Sequence, residues 1–286
     1  MSVPARPIGE SPASRRALAL TVAGSDSGGG AGIQADLKTF QELGVYGMSV
    51  VTAVTAQNSR GVQRAEAVSA DMVEAQLESV LADIGADAVK TGMLPSAAHV
   101  EAAARSFARH GAKRLVVDPV GVATDGSVLM DGGAFDAMKR LLLPMAEVVT
   151  PNLPEACRLL GAQADEIRTI ADMERLAKRL LALGSRHVFL KGGHWNGAEA
   201  VDVFVSADRP DEARLLAGPR YPTPHTHGTG CTTASAIAAL LAKGALPEEA
   251  CRLAKAFVAA AIASAIPLGG GTGSLWHGAF AEKKRL

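Results

Sequence analysis

Apolar strand segments and helical patterns alternate along nearly the whole chain of 286 residues. Such alternation is typical of strand–helix–strand units, in which parallel strands form a sheet and the crossover helices cover its two faces. Strands are predicted at residues 17–23, 48–55, 86–90, 114–117, 147–150 and 187–191, with antiparallel additions at one edge over residues 199–205 and 214–217. The sequence therefore predicts a doubly wound, mostly parallel α/β sheet in one domain of residues 17–286, after a disordered tail of residues 1–16.

Local signals mark where several helices begin. Asp71 and Glu74 resemble a capping box, which predicts a helix start beside Asp71. Two alanine-rich helices are predicted to begin at Thr229 and Pro247 and to close the chain.

Composition excludes several classes of protein. The 29 basic and 29 acidic residues balance to a formal net charge of zero, so the chain has no basic excess for binding nucleic acid. No apolar run is long enough to span a membrane, and the N-terminal residues lack the hydrophobic core of a secretory signal. The three cysteines are odd in number and widely spaced, which predicts reduced thiols in the cytoplasm rather than a disulfide framework.

The segment HGTGCTTASAIAALLAKG, residues 227–244, carries the strongest functional signal. Two glycines and a cysteine lead directly into a helix, so the amides of Gly228, Gly230 and Cys231 have no intrahelical partners and meet the positive end of the helix dipole. Such a turn binds anions, most often phosphate. The alternative is that the motif merely begins a helix, and Gly-Thr-Gly alone does not decide between the two.

A second glycine-rich segment, AGSDSGGGAGIQADLKTF at residues 23–40, follows the first predicted strand. It fits a dinucleotide-binding fingerprint poorly, because no acidic residue ends the second strand where a ribose would need one. Asp26 and Asp36 are candidate ligand-facing carboxylates, and the alternatives are a helix N-cap for Asp26 and a solvated helix position for Asp36. Gln57 follows the second strand, where its amide suits an aminopyrimidine edge or, alternatively, caps the loop.

Further polar residues follow the later strands, beyond whose carboxyl ends ligands bind in open α/β sheets. Asp118 follows an apolar run in VVDPV, and Asn152 and Glu155 flank a proline at a helix start. Asp118 and Glu155 together could organise hydrated Mg²⁺, which takes few protein ligands, although a first-turn Glu also simply complements the helix dipole. Lys191 would place an ammonium near the same crevice as a point charge for phosphate, or be solvated at its strand end.

Six motifs occur in order along the chain: AGSDSGGGAGIQADLKTF, TAVTAQNSRGVQ, VKTGML, TPNLPEA, LKGGH and HGTGC. Together they closely resemble those of the bacterial hydroxymethylpyrimidine/phosphomethylpyrimidine kinases of thiamine biosynthesis, which have the ribokinase-like α/β fold. The resemblance covers roughly residues 17–267. HGTGC and TPNxxE are shared with related vitamin kinases, whereas the first glycine-rich segment and AQN are more specific to the pyrimidine branch.

Two departures from the family pattern affect the expected pocket. The family more often has TDPSGGAG where this chain has SDSGGGAG, so Ser27 stands at the position of the proline. It also usually has a methionine after DPV, where this chain has Gly121. The second change alters the shape expected for the pocket wall but not the chemistry of the site.

The resemblance implies roles for individual residues. Gln57 reads the aminopyrimidine, and the pocket of the ring is lined by Gly24, Asp36, Met93 and Val120. The ATP phosphates and Mg²⁺ are served by Asp118, Asn152, Glu155 and Lys191, with Asp118 and Glu155 at the metal. The catalytic groups over the transferring phosphoryl group are Lys191, Gly228, Gly230 and Cys231.

Cys231 occupies the position at which many members of the superfamily have an aspartate as general base. Its pKa, about 8.5 in a free thiol, is expected to fall at the helix N-terminus, so that a thiolate takes the hydroxymethyl proton. Because phosphoryl transfer relies mostly on positioning and charge stabilisation, we expect Cys231 to contribute less than Lys191 and the amides together. The alternative is that Cys231 supplies only its backbone amide.

The resemblance implies an enzyme that uses ATP and Mg²⁺ to phosphorylate 4-amino-5-hydroxymethyl-2-methylpyrimidine and then its monophosphate. It also implies a homodimer that acts on a small molecule, with no nucleic acid or membrane partner. One alternative is a pyridoxal or pyridoxine kinase, whose substrate is likewise a flat ring with a hydroxymethyl arm. Another is a catalytically silent pyrimidine-binding module, against which the intact Lys191, Glu155 and HGTGC argue.

Overall fold

The computed structural model describes residues 15–282 apart from 122–125, 127–129, 194 and 196, and this part of the chain forms a nine-stranded sheet with helices on both faces. The strands are β1 (Leu18–Asp26), β2 (Tyr46–Asn58), β3 (Gly61–Ala67), β4 (Ala88–Thr91), β5 (Leu115–Val117), β6 (Val148–Val149), β7 (His187–Leu190), β8 (Glu199–Ser206) and β9 (Arg209–Pro219). The helices are α1 (Gly32–Glu42), α2 (Ala70–Asp83), α3 (Ala97–His110), α4 (Gly132–Ala137), α5 (Leu153–Leu160), α6 (Ile170–Leu181), α7 (Thr229–Ala242), α8 (Pro247–Ala263) and α9 (Ala279–Glu282). The tail predicted over residues 1–16 lies outside the described residues except for its last two.

The strand order is β3-β2-β1-β4-β5-β6-β7-β8-β9. Six strands that are neighbours in this order are parallel to one another: β2, β1, β4, β5, β6 and β7. This confirms the doubly wound, mostly parallel sheet. Antiparallel strands lie at both edges rather than at one, because β3 pairs with β2 while β8 and β9 continue from β7. The sequence pattern does not indicate β3, since GVQRAEA is largely exposed and lacks apolar alternation.

The helices bury two cores, one on each face of the sheet. Helices α2 to α6 pack on one face, and α1, α7 and α8 pack on the other. The central strands are therefore buried on both sides, which explains their continuous apolar runs. Helix α7 packs against β1, β4 and β5, and every residue from Thr232 to Ala242 is buried.

The helix starts at the C-terminal end of the chain agree with the sequence. Helices α7 and α8 begin at Thr229 and Pro247 as predicted. The capping box predicted from Asp71 and Glu74 is wrong, because the hydroxyl of Ser69 caps α2 two residues earlier. No helix in the described part of the chain is both long and apolar enough to cross a membrane.

A fully buried ion pair joins four elements of the fold. The Lys90 ammonium of β4 lies 2.8 Å from the Asp36 carboxylate of α1, and neither side chain is exposed. Asp36 also accepts hydrogen bonds from the hydroxyls of Thr21 in β1 and Ser235 in α7. Burial alone lowers the pKa of Lys90, but the attraction of Asp36 and other nearby anionic groups raises it above its ordinary value. The lysine is therefore charged, and each partner compensates the burial of the other.

We predict that Lys90→Met lowers the free energy of unfolding by about 3–5 kcal/mol, because it leaves the Asp36 carboxylate buried without its counter-charge. Lys90→Met combined with Asp36→Asn should recover much of this loss, since no buried charge remains. The amide oxygen accepts from one of the two hydroxyls, and the other hydroxyl turns to accept from the NH₂ group. Urea unfolding of the wild type and both variants measures the two differences. Equal losses in the single and double variants would contradict the ion-pair explanation.

Candidate active site

Polar residues that follow the parallel strands meet at one edge of the sheet. Asp26 ends β1, Gln57 is the penultimate residue of β2, Asp118 directly follows β5 and Lys191 directly follows β7. Because the carboxyl ends of parallel strands lie at the same edge, residues far apart in sequence form a row across the sheet. Within this row the polar groups form two clusters, one around Lys191 and one around Gln57.

The first cluster consists of Lys191, Asp118 and Glu155. The Lys191 ammonium donates to Asp118 Oδ1 at 2.8 Å and lies 3.9 Å from Glu155 Oε2. Only 13% of the Lys191 side chain is exposed, so the alternative of a solvated strand-end lysine is wrong. Burial lowers the pKa of Lys191, but the two carboxylates outweigh burial and raise it. A Cβ added to Gly230 would lie 3.4 Å from the ammonium, which places this charge beside the first turn of α7.

Glu155 caps a helix and also lies beside Lys191, while its expected metal role stays a prediction. Its carboxylate accepts the amide of Asn152 while the Asn152 side chain accepts the amide of Glu155, which forms the capping box of α5. The same carboxylate lies in the cluster with Lys191. Burial, with the neighbouring Asp118, raises the pKa of Glu155 to about 7, against the opposing effect of Lys191. The group therefore exchanges a proton near neutral pH, where a cation would compete with that proton.

Asp118 has one carboxylate oxygen available for a ligand. Its Oδ1 accepts from Thr150 and Lys191, whereas the buried Oδ2 has no hydrogen-bond partner in the described part of the chain. Such an unpaired buried oxygen is costly unless a ligand satisfies it. No group of three His, Cys, Asp or Glu among the described residues is placed to hold a metal by itself. Two carboxylates beside a phosphate site are a donor set that fits Mg²⁺ shared with a nucleotide.

The turn before α7 packs on the glycine-rich turn after β1. Gly228 has a φ of 89°, and a side chain there would clash with the carbonyl oxygen of Gly30. Thr232 donates the first amide hydrogen bond of α7, to the carbonyl oxygen of Gly228. The amides of Gly230 and Cys231 precede that bond and so have no intrahelical partners. This is the backbone geometry of an anion site.

The Cys231 thiol lies close to charged groups of this site. Burial raises its pKa to about 11, although the Lys90 ammonium and a hydrogen bond from the Gly32 amide lower it. The Asp36 and Asp118 carboxylates add to the rise. The expectation that this pKa is depressed is therefore wrong, because burial and the two carboxylates raise it above its ordinary value. At neutral pH the thiol of the free protein carries its proton.

The second cluster surrounds Gln57. Its amide nitrogen lies 3.5 Å from His227 Nε2, which lies 2.9 Å from Asp26 Oδ2. Asp26 also accepts three backbone amides of the glycine-rich turn, so it organises this turn without being the N-cap of α1, which is Ala31. Burial raises the pKa of Asp26, but these hydrogen bonds outweigh burial and lower it. The carboxylate is thus charged and occupied by protein donors.

The other residues expected at the pyrimidine ring occupy different environments. Met93 covers Gly24 so closely that an added Cβ would lie 2.9 Å from the methionine sulfur. Val120 is half-buried two residues beyond Asp118. Asp36 is fully buried, so the solvated position considered for it is wrong, and the hydrogen bonds of its carboxylate run to protein donors.

Gly121, where the sequence motif usually has a methionine, lies against the Arg158 side chain. A Cβ at this position would lie 2.8 Å from a guanidinium nitrogen of Arg158. That guanidinium lies over the ring of Phe135, 4.3 Å from its centre. The Arg158 side chain thus occupies space that a methionine side chain at position 121 would enter.

Two residues of the site were not singled out from the sequence. Lys90 stands near the end of the buried strand β4, and His227 is the first residue of HGTGC. A lysine inside an otherwise apolar strand is a signal for a buried charge pair. No comparable signal exists for His227, because its contact with Asp26 spans 201 residues of sequence.

A cavity of about 440 Å³ lies between β9 and α8. Its walls are mostly apolar and include Leu216, Ala259 and Phe280, and Tyr221 lies at its border. Tyr221 precedes the turn before α7 by a few residues of the chain. Its two cationic side chains are already paired with acidic residues, which leaves a site suited to a flat, uncharged group.

These features define a class of protein. A doubly wound sheet whose carboxyl edge carries a glycine turn at a helix start, an ammonium and two carboxylates is the arrangement of a ribokinase-like kinase for small molecules. The sequence model of the phosphomethylpyrimidine kinase family matches residues 26–276. A hydroxymethylpyrimidine/phosphomethylpyrimidine kinase of Streptomyces coelicolor is 52% identical over 261 residues, which cover 91% of this chain and 94% of that protein. The chain belongs to the phosphomethylpyrimidine kinase family.

Two solved structures share the fold. The ADP complex of Bacillus subtilis pyridoxal kinase is 41% identical with a TM-score of 0.86, covering 94% of this chain and 100% of that one. The phosphomethylpyrimidine kinase of Clostridium difficile is 40% identical with a TM-score of 0.75, covering 86% and 100%. The ribokinase-like fold expected from the sequence motifs is therefore confirmed.

We predict that Cys231→Ala keeps its turnover at pH 7 within about tenfold of wild type, because a thiol with a pKa of about 11 is ionised only to about one part in ten thousand. If the thiolate acts as base, the ratio of wild-type to variant rates should rise with pH towards 11. Rate profiles of both proteins against pH measure this ratio. A pH-independent loss of about a hundredfold or more, the size expected of a fully available base, would contradict the prediction.

Proposed function

We propose that this chain transfers the terminal phosphoryl group of ATP to the hydroxymethyl oxygen of 4-amino-5-hydroxymethyl-2-methylpyrimidine, and then a second phosphoryl group to the monophosphate. The observation that carries the proposal is the Lys191 ammonium, which lies 2.8 Å from Asp118 and beside Gly230 at the start of α7. Phosphoryl transfer is catalysed mainly by positioning and charge stabilisation, and these groups supply both. The name of the Streptomyces coelicolor relative supports this choice of substrate.

Four groups act on the transferring phosphoryl group. The amides of Gly228, Gly230 and Cys231 point from the N-terminus of α7, and Lys191 adds a full positive charge beside them. They bind the phosphoryl oxygens and stabilise the charge that grows there during transfer. The Cys231 thiol stays protonated at neutral pH, so its backbone amide is the main contribution of this residue.

The nucleotide side is completed by Asp118, Glu155 and Asn152. The unpaired Asp118 Oδ2 and the Glu155 carboxylate would hold Mg²⁺, which supplies charge neutralisation between phosphate oxygens when it is bound. Asn152 uses its side-chain oxygen in the capping box, so its NH₂ group remains to donate to a phosphate oxygen. The ADP complex of the Bacillus subtilis relative supports a nucleotide as one of the ligands.

The substrate side is built around Gln57. Its amide pairs with the amine and the adjacent ring nitrogen of the pyrimidine, while Gly24, Met93 and Val120 line the ring. Gly24 lets the Met93 side chain lie against the backbone, and the Met93 thioether suits a flat heteroaromatic face. Asp36 supports this pocket from below and does not bind the ring itself, because its carboxylate already accepts hydrogen bonds from Thr21 and Lys90.

The cavity between β9 and α8 is proposed as the site of the adenine base. It is mostly apolar, and the chain at its border continues into the anion turn. A base seated there lies at the end of the nucleotide opposite the transferring phosphate.

Pyridoxal is a second candidate substrate, because a pyridoxal kinase is 41% identical and has the same fold. Its ring carries a hydroxymethyl arm but no exocyclic amine, so it meets the Gln57 amide with fewer matched groups. A silent binding module would have no use for the cluster of Lys191, Asp118 and Glu155. The homodimer and the cytoplasmic location expected from the sequence stay predictions.

Product analysis with ATP and Mg²⁺ tests the proposal. We expect the mono- and diphosphate of the pyrimidine to appear, and pyridoxal to react more slowly. Lys191→Ala should lower turnover by roughly 10²–10³-fold, because its charge acts most strongly in the transition state. Circular dichroism verifies that the variant is folded. If pyridoxal is phosphorylated faster than the pyrimidine, the proposed substrate is wrong. If the turnover of Lys191→Ala stays within about twofold of wild type, Lys191 does not stabilise the transition state.

The adenine site has its own test. Ala259→Phe fills part of the cavity, so the KM for ATP should rise about tenfold or more while the pyrimidine still binds normally. Ala263→Phe is the matched control, since Ala263 ends the same helix, is exposed and does not line the cavity. Initial rates at varied ATP, with calorimetric titration of the pyrimidine, measure both quantities. Similar KM values in the two variants would place the base elsewhere.

A further inference from the structure

Gln57 is held at its backbone by Ser27. The Ser27 hydroxyl donates to the Gln57 carbonyl oxygen at 2.7 Å and accepts the Gln57 amide at 2.8 Å. Both contacts join the glycine-rich turn after β1 to the end of β2. Both bonds need the Ser27 hydroxyl, so an alanine at this position would lose them.

The side chain of Gln57 is held at two further points. His227 Nε2 faces the Asp26 carboxylate at 2.9 Å, so this ring nitrogen carries a hydrogen. Thr55 has one hydroxyl hydrogen, which goes to the Ser25 carbonyl oxygen at 2.9 Å. Towards Gln57, therefore, Thr55 presents an acceptor, and His227 presents an N–H that Asp26 already accepts and that disfavours a second donor beside it.

These two neighbours determine which way round the Gln57 amide lies. With its nitrogen towards His227, at 3.5 Å, two donors would face each other. The opposite orientation places the amide oxygen beside the His227 N–H. It also places the NH₂ group beside the Thr55 hydroxyl oxygen, which lies 3.2 Å from that terminal atom of Gln57. A rotation of the terminal amide by half a turn exchanges the two arrangements without moving other atoms, so the neighbours alone decide between them.

We propose that Ser27 and His227 are positioning residues that hold Gln57 in one orientation, and that through it the site selects a 4-aminopyrimidine over its 4-oxo counterpart. The proposal rests on the proposed function, in which Gln57 reads the pyrimidine. A 4-aminopyrimidine presents a donor amine beside an acceptor ring nitrogen, whereas the 4-oxo form presents an acceptor oxygen beside a donor N–H. The two rings have nearly the same shape, so the orientation of the amide is what separates them.

Binding of the two rings without nucleotide is the measurement. Calorimetric titrations compare the 4-amino alcohol with 5-hydroxymethyl-2-methylpyrimidin-4-one and give a discrimination ratio for each protein. His227→Phe should lower this ratio by about tenfold, because the Thr55 contact alone then favours one orientation of the amide. His227→Gln should restore most of the ratio, since its amide nitrogen replaces the ring donor. Ser27→Ala should lower the ratio by a smaller factor, because only the backbone of Gln57 is loosened.

His225→Phe is the matched control for the local structure. His225 lies two residues before His227 and accepts the amide of Gly273 at 3.0 Å, away from Gln57. Its replacement should leave the discrimination ratio unchanged. Equal ratios in wild type and His227→Phe, or equal losses in the two phenylalanine variants, would overturn the proposal.

Gln57→Leu separates this inference from the function beneath it. If Gln57→Leu leaves the affinity for the 4-amino alcohol unchanged, the substrate site itself is wrong and the positioning roles fall with it. If Gln57→Leu weakens binding while His227→Phe does not alter the ratio, only the positioning roles are overturned. In the Gln57→Leu background, His227→Phe should have no further effect on the ratio, because the two residues act through one contact.

Discussion

The buried pair of Lys90 and Asp36 is the interaction around which the site is built. Removing both charges from water is costly, so each is tolerated only while the other is in place. Asp36 also holds hydroxyls from β1 and α7, and the pair therefore determines how α1 and α7 lie on the sheet. Their N-termini meet at Cys231, whose thiol receives the Gly32 amide of α1 while its own backbone belongs to the first turn of α7. Two helix dipoles consequently point towards the proposed phosphate site.

The two glycine turns can meet only because neither carries a side chain at the contact. A Cβ on Gly228 would strike the carbonyl oxygen of Gly30, and a Cβ on Gly30 would strike the ring of His227. Their contact joins the proposed phosphate side of the site to the proposed substrate side, since His227 belongs to one turn and touches Asp26 in the other. A displacement of either turn would therefore affect both ligands.

Burial raises the pKa values of two groups in the site. Burial and the neighbouring Asp118 raise the pKa of Glu155 to about 7 in spite of Lys191, and burial raises that of Cys231 to about 11 in spite of Lys90. Both groups lose solvation, and nearby carboxylates oppose further negative charge. A cation bound between Asp118 and Glu155 would offset this negative charge, which explains why a metal and phosphate chemistry suit the same place.

The sequence alone determined the parallel sheet, the starts of α7 and α8 and the row of polar residues after the strands, because periodicity, helix signals and strand ends are local features. It did not indicate β3, whose exposed residues lack alternation, or the cap of α2, which lies two residues before the predicted box. Only the tertiary structure decided that Asp36 pairs with Lys90, that His227 faces Asp26, and that the Cys231 pKa rises. Each depends on burial and on contacts between distant segments, and neither quantity is contained in the local pattern of residues.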